Sequence, residues 1–490
     1  MCTDQAGDAA ALETGETKET DSRRQPFSEA FKKFIVEGWA PDEDRPVERL
    51  AAADWIPARI ARICEAFPGA TLVVPAGPLK VRSNDTDYRF RPHSAFAWLS
   101  GLGEDREPDA ALVVTPDGEA TVCFRPRAPR TDEEFYADAR YGEMWVGRRD
   151  SLAEMTVRTG LSTADIRGLR DRLDGVERLL VVRDADATVT ALVDDARGRA
   201  DEEGDADLAR VLSEMRLVKD AFEVGEMRAA CDATRVGFEA VAGALPEAVA
   251  AGRGERWVEG VFALHARHLG NAVGYDTIAA GGDNANTLHW IRNDAALSDG
   301  DLILLDAGVE VNSLYTADVT RTLPVGGRFT PAQRRVYEVV LAAQTAGIEA
   351  CRPGAAFTAP HEAAVRVIAE FLEGLGILPG TAEESLTDDG GFHRRWMVHG
   401  TSHHLGLDVH DCALARRELY REGTLLEGMI ITVEPGIYFK STDMLVPEEF
   451  RGIGVRIEDD ILITADGHEN LSAALPRSAD DVEAWLAARR

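Results

Sequence analysis

Positive charge is what this sequence has least of. Lys and Arg number 54 against 85 Asp and Glu, a formal net charge of −31 over 490 residues. No Lys/Arg run offsets that balance, so a phosphate backbone finds no basic face and nucleic-acid binding is excluded. Only six of the 54 basic residues are Lys, which reads as a coding bias. Long apolar runs are missing too. No stretch approaches the roughly 18 residues that a membrane span needs. The opening MCTDQAGDAA lacks both the basic and the apolar segments of a signal peptide. The six cysteines form no CxxC or zinc-like spacing. Scattered thiols in a chain of this size point to a reducing, cytoplasmic setting. Aromatic residues are absent before Phe27, and the acid-rich first 26 residues cannot bury enough apolar area to offset chain entropy. Residues 1–49 are therefore expected to be an acidic, largely disordered extension.

What is present suggests two folded domains, in keeping with about 150 residues per domain. From 50 to 215, short β-branched runs (TLVVPAG, ALVVTPDG, ATVCFRP, RLLVVRD) alternate with helical stretches. PDG between two of these runs marks a hairpin turn, and the pattern predicts an α/β domain. The spacing changes to long helix over 205–250, with apolar residues at three- and four-residue steps. A boundary is placed near 215–220. The second domain, 216–475, mixes strands (301–311, 315–325, 429–438, 454–464) with helices near 331–351 and 358–375, and 476–490 is a C-terminal tail.

Two motifs look catalytic and are not. HEAAV begins like HExxH, but Val365 stands where the second His must be. GTSHH begins like GxSxG, but His404 replaces the final Gly. Acids and histidines at strand positions remain. Asp306 ends the apolar run LILL, and Asp318 lies in the next strand. A turn centred on Asn312 places the two directly opposite each other, about 4.5–5.5 Å apart. Facing carboxylates repel, so a cation is the natural compensation. For either Asp alone, a solvated side chain is the plainer reading. Four of the eleven histidines, His399, His403, His404 and His410, crowd into MVHGTSHHLGLDVHD. Imidazole is a common metal ligand and acid–base group, although any one of these could simply be a hydrogen-bonded loop residue. Glu434 ends the run ITVEPG and Glu458 lies in GVRIEDD. Two Asp, one His and two Glu form a hard, oxygen-dominated donor set that suits two divalent ions such as Mn²⁺.

The stretches LDAGVEVNSLYTADVTRT (305–322), VHGTSHHLGLDVHD (398–411), TVEPGIY (432–438) and GVRIEDD (454–460) together resemble the Xaa-Pro aminopeptidases (aminopeptidase P). These belong to the creatinase/prolidase/methionine aminopeptidase superfamily. RSNDTDYRFRPHSAFAWLSG (82–101) and EMWVGRRD (143–150) resemble that family's N-terminal domain. The resemblance implies an α/β N-terminal domain followed by an α+β pita-bread catalytic domain. It implies two divalent metal ions, with Mn²⁺ the best fit. Asp306 would hold one ion, Asp318 and Glu458 would bridge both, and His403 and Glu434 would hold the other. His289 and His410 would contact substrate, His410 donating to the carbonyl oxygen. His399 would border the proline pocket, Glu434 could also shuttle a proton, and Arg456 would orient Glu458 or its neighbours. His404 stands where relatives often carry a bulky apolar or aromatic residue; it could tune the pocket or be a spurious ligand candidate.

The implied activity is hydrolysis of the bond between an N-terminal residue and a penultimate proline, by way of a metal-bridging hydroxide. The implied partners are such peptides and other copies of the chain, as a homodimer or homotetramer, with no nucleic acid and no membrane. The nearest rival is an Xaa-Pro dipeptidase (prolidase), which shares all five ligands. A metal-free peptide-binding module of the same fold and a creatinase-like activity are less supported.

Overall fold

A computed structural model of the protein describes residues 26–104 and 106–489. The disorder expected of residues 1–25 lies outside the described residues. The described chain forms two compact units. Among the described residues, one comprises 26–45 with Pro126–Ser151, the other 46–125 with 152–489.

In the smaller unit, Ser28 caps the helix Glu29–Ile35 by accepting from the Phe31 amide. Phe27 and Phe31 stack on each other and meet Tyr136 edge-on. Arg127 bonds Asp42 at 2.8 Å and Asp44 at 2.9 Å, so this part of the acidic segment is tied down.

In the larger unit, Leu179–Val181, Thr71–Pro75, Ala111–Val114, Ala120–Phe124 and Ser162–Asp165 are neighbours in one five-stranded mixed sheet. The PDG segment closes the hairpin between Ala111–Val114 and Ala120–Phe124 as the sequence predicts, with Gly118 at φ +87°. Both sheet faces are covered. Leu72 and Val74 enter one apolar cluster and Val73 the other, which is why these strands read as unbroken apolar runs.

The predicted long helix is two. Glu202–Met215 ends, and Ala221–Ala250 starts at a capping box between Asp220 and Glu223. The second runs 30 residues and packs on Gly254–Leu269. The helices Pro331–Ala350 and Ala359–Gly374 also pack together. Between them lie short sheets: Val319–Pro324 with Leu302–Ala307 and Ile278–Gly281; Ile430–Val433 with Asp459–Thr464 and Gly467–Asn470; and Gly436–Phe439 with Ile453–Arg456. This is the α+β pita-bread domain, preceded by the α/β domain.

The aspartate hairpin differs from its predicted register. Asp306 pairs with Thr320, and Ala307 with Val319. Val311 and Tyr315 close the turn, and Leu314 takes a left-handed φ of +74°. A loop of Asn312, Ser313 and Leu314 moves the turn centre to Ser313 and every partner by two residues. A two-residue shift preserves the face, so Asp318 stays on the side of Asp306 as a diagonal neighbour.

Gly308 sits between the two aspartates. A Cβ there would overlap the Ala317 carbonyl oxygen, and backbone cannot swing aside as a side-chain tip can. Gly308→Ala should therefore destabilise the protein by about 1–3 kcal/mol, the usual range for overpacking. Urea unfolding checks this, and an unchanged midpoint would mean the two strands can part at no cost.

Candidate metal centre

Five separate chain segments deliver acids and imidazoles to one cavity of about 290 Å³, lined among others by Asp306, Asp318, His403, Glu434, Glu458, His289 and His410. Asp306 comes from the strand Leu302–Ala307, and Asp318 immediately precedes Val319–Pro324. Glu434 follows Ile430–Val433, where Pro435 ends that pairing. Glu458 falls between Ile453–Arg456 and Asp459–Thr464, and its amide donates to Thr320 O.

The histidine segment lies along Ile430–Val433 like an added strand. Leu405 N donates to Ile430 O, Thr432 N donates to His403 O, and His404 bridges Ile431. Side chains alternate along such backbone, so His403 and His404 face opposite ways. His403 Nε2 lies 3.3 Å from Asp318 Oδ2 and 3.8 Å from Glu434 Oε1. Its Nδ1 is 3.2 Å from His404 O; with Nδ1–H donating there, Nε2 is the ring nitrogen aimed at the acids. His404 is fully buried away from the cavity, stacked on Phe357 at 5.0 Å and edge-on to Tyr420. Burial pushes its pKa down to about 3. It packs as an aromatic ring and is not near the ligand set.

Electrostatics set this site apart. Four carboxylates face two cationic side chains, Arg456 and His403. Burial first, then the charge of Asp318, drives Glu458 well above the usual carboxylate range. Burial likewise raises Glu434, to about 8, with His403 and Arg456 opposing. For His403, burial lowers the pKa, but the bond to Asp318 and the charges of Asp318 and Glu434 win and lift it to about 9. Burial lowers His410, and the charge on His403 adds to this.

The donor set fits divalent cations. Atoms of Asp318, His403 and Glu458 lie within 4.8 Å of one another. Glu458 Oε1 is buried with no hydrogen-bond partner, and such an oxygen is costly unless something positive meets it.

Other residues hold the acids in place. Arg456 Nη2 lies 2.5 Å from Asp306 Oδ2, so it orients Asp306 directly. It reaches Glu458 through Thr320, which accepts from Arg456 Nε at 3.2 Å and donates to Glu458 Oε2 at 2.6 Å. The Tyr275 hydroxyl lies 2.7 Å from Asp306 and 2.5 Å from Asp318. Asp460 Oδ2 accepts from the Asp318 amide at 3.1 Å. His399 does not line the cavity. Its Nδ1 is 3.5 Å from Glu434, and its Nε2 is 2.7 Å from the Tyr438 hydroxyl, which also accepts from Arg456. Sequence reasoning gave no role to Tyr275, Thr320 or Asp460. Thr320 lies within the 305–322 stretch and Asp460 ends GVRIEDD, whereas Tyr275 belongs to no quoted motif.

Two family models match. Metallopeptidase family M24 covers residues 225–465, and the aminopeptidase P N-terminal domain covers 57–177. Xaa-Pro aminopeptidase 1 of Streptomyces coelicolor is 49% identical over 465 residues, 94% of this chain and 92% of that protein. The chain belongs to metallopeptidase family M24, among its Xaa-Pro aminopeptidases. Xaa-Pro aminopeptidase 2 of the same organism is 51% identical over 467 residues, 94% of this chain and 97% of its own. Among solved structures, aminopeptidase P from Escherichia coli in a low pH form superimposes with a TM-score of 0.77 at 31% identity. That match covers 91% of this chain and all of the other. An M24 member with this donor set is a metal-dependent hydrolase, and the cavity around the five residues is its candidate active site.

Proposed function

We propose that this chain is an aminopeptidase that hydrolyses the bond between an N-terminal residue and a penultimate proline, using two divalent ions, with Mn²⁺ the best match to an oxygen-rich site. The observation that carries this is the meeting of four carboxylates, those of Asp306, Asp318 and Glu458 buried and that of Glu434 half-buried, with too few cations, in a cavity that also holds His289 and His410. The names of the relatives, Xaa-Pro aminopeptidases, supply the substrate class. A solved structure of aminopeptidase P from E. coli is with the inhibitor Pro-Leu, a proline-containing dipeptide.

In this reading Asp306, Asp318, His403, Glu434 and Glu458 would hold the ions. Bound ions would supply Lewis-acid polarisation of the scissile carbonyl and an acidified water. The remaining work falls to the chain's own groups. His410, kept neutral by burial and by His403, offers an N–H to the carbonyl oxygen as negative charge develops there. Leu288, His289 and Ile291 present a partly apolar wall to the pyrrolidine ring. Glu434 can accept a proton and pass it on. Arg456 keeps Asp306 in place, and through Tyr438 it is linked to His399.

A cytoplasmic setting is supported by the thiols, since Cys64, Cys123, Cys231, Cys351 and Cys412 are all free. No helix of the described residues is long and apolar enough to cross a membrane. A homodimer or homotetramer is part of the same reading and is checked by sedimentation. The proposed domains, 50–215 and 216–475, are supported by the two family-model matches falling inside them.

The test is a peptide-length series. With Mn²⁺ the protein should release Ala from Ala-Pro-Ala, and kcat/KM for Ala-Pro should be lower by at least about tenfold, roughly 1.4 kcal/mol of transition-state stabilisation. Cleavage confined to the dipeptide would make it a prolidase. No cleavage with Mn²⁺, Co²⁺ or Zn²⁺ would end the aminopeptidase reading.

A further inference from the structure

The segment 282–295 runs from the end of the strand Ile278–Gly281 across the cavity and brings Leu288, His289 and Ile291 to its wall. It forms a strap, and its anchoring is unusual. Glu255, in the first turn of the helix Gly254–Leu269, is fully buried. No cationic side chain pairs with it among the described residues. Its Oε1 instead accepts from the Gly281 amide at 2.8 Å and from Asn284 Nδ2 at 2.8 Å. Its Oε2 accepts from the Trp290 indole N–H at 2.9 Å and from the Ala295 amide at 2.8 Å. All four donors belong to residues 281–295. A buried carboxylate without a counter-charge persists only where hydrogen bonds replace its hydration, and bonds to a charged acceptor are the strong kind.

One turn further along that helix, Glu259 accepts from Asn293 Nδ2 at 3.1 Å. Asn293 is fully buried at φ +45°; its side chain also donates to Thr277 O and accepts from the Ala279 amide, completing the strand edge. Asp283 accepts from the amide and hydroxyl of Ser441 at 2.8 and 2.7 Å. The strap is thus pinned at both feet and, through Trp290, in the middle. His289 and Ile291 line the cavity, while Trp290 between them turns to Glu255. The indole bond thereby decides which residues of the strap face the substrate.

We infer that Glu255 is a positioning residue for the peptidase reaction: its carboxylate fixes the strap so that His289 and Ile291 face the substrate cavity. This rests on the function proposed above. None of the five candidate metal ligands lies on the strap, so Glu255 acts on substrate placement and not on ion binding.

Glu255→Gln separates these effects. An amide has one acceptor oxygen, so it can serve Gly281 and Asn284 or Trp290 and Ala295, never both pairs. kcat/KM on Ala-Pro-Ala should fall about ten- to a hundredfold, as a displacement near 1 Å does elsewhere. Mn²⁺ affinity by titration calorimetry should change by far less than the roughly 10–100-fold that loss of a group supporting a ligand costs. In protein labelled with ¹⁵N-Trp, the Trp290 indole N–H resonance, identified by its loss in Trp290→Phe, should shift or broaden. Should Glu255→Gln fail to fold, Trp290→Phe keeps an aromatic ring, though a smaller one, removes one donor and should lower kcat/KM in the same direction. Unchanged kinetics, with the indole signal moved or not, would overturn the proposal. So would a kinetic loss with an unmoved indole signal, or a loss that follows Mn²⁺ affinity. Wild-type protein that leaves Ala-Pro-Ala uncut is a different outcome: it ends the functional reading and takes this inference with it.

Discussion

Asp318→Ala should cost the protein more than a hundredfold in turnover of Ala-Pro-Ala, beyond the roughly 10–100-fold typical for losing a partner outside the ligand set. Asp318 is the hub of the acid cluster. It meets His403 at 3.3 Å and Tyr275 at 2.5 Å, and its amide is held by Asp460. Its oxygens also lie within reach of Glu458 and His403 at once. Three checks separate a ligand from a structural acid. Metal analysis of wild-type protein should find two Mn²⁺ per chain, and the variant should hold fewer. Mn²⁺ should raise the melting temperature of wild type by mass action, and less so the variant's. Removing one of several uncompensated buried carboxylates relieves repulsion, so the metal-free variant should melt no lower than metal-free wild type. A variant that keeps its metal and its turnover would remove Asp318 from the mechanism.

Asp411→Ala should lower stability by about 3–5 kcal/mol, the range for breaking a buried pair by deleting one partner. Asp411 is buried, follows His410 directly, and its amide donates to His404 O within the segment that carries His403. It accepts from Arg216 Nε and Nη2 at 3.3 and 3.1 Å, from Lys219 Nζ at 3.3 Å and from the Cys412 amide at 2.9 Å. Arg216 and Lys219 are themselves buried, so truncation strands Lys219 and leaves Arg216 only its 3.6 Å contact with Asp408. Burial alone would push Asp411 upward, but Arg216 and Lys219 hold it below the ordinary carboxylate range. A carboxyl with a depressed folded pKa adds stability above its unfolded value, about 3.9, and loses it as pH falls through the folded one. The gap between wild type and variant in urea unfolding should therefore be full at neutral pH and shrink below about pH 4. A gap under about 1 kcal/mol at pH 7 would mean solvent reaches Arg216 and Lys219 once Asp411 is gone.

The candidate ligands were readable because each sits in a short motif with its own local logic: an acid ending an apolar strand, a histidine among glycines, a glutamate before proline. The opposite facing of His403 and His404 was also within reach, from the period of two along extended backbone, had the HGTSHH segment been read as a strand. The aspartate register was not. One residue in the turn centre decides it, and Leu314 takes a left-handed φ that an apolar side chain does not advertise. The group that holds each acid lies far from that acid in the chain. Thr320 bonds Glu458 across 138 residues, and Arg456 reaches Asp306 across 150.

The sequence alone therefore carried an α/β first domain by its periodicity, and, through the resemblance of its motifs, the family, the fold of the second domain and the candidate acids and imidazoles, since these are properties of neighbouring residues. Only the tertiary structure decided which of those groups touch. His399 sits behind Glu434 and off the cavity wall, His404 lies in an aromatic core, and Glu458 is left with one oxygen unmatched. Burial and facing charge exist only after the chain has closed on itself. They turn four ordinary acids, in a chain that carries 85, into a site that calls for cations.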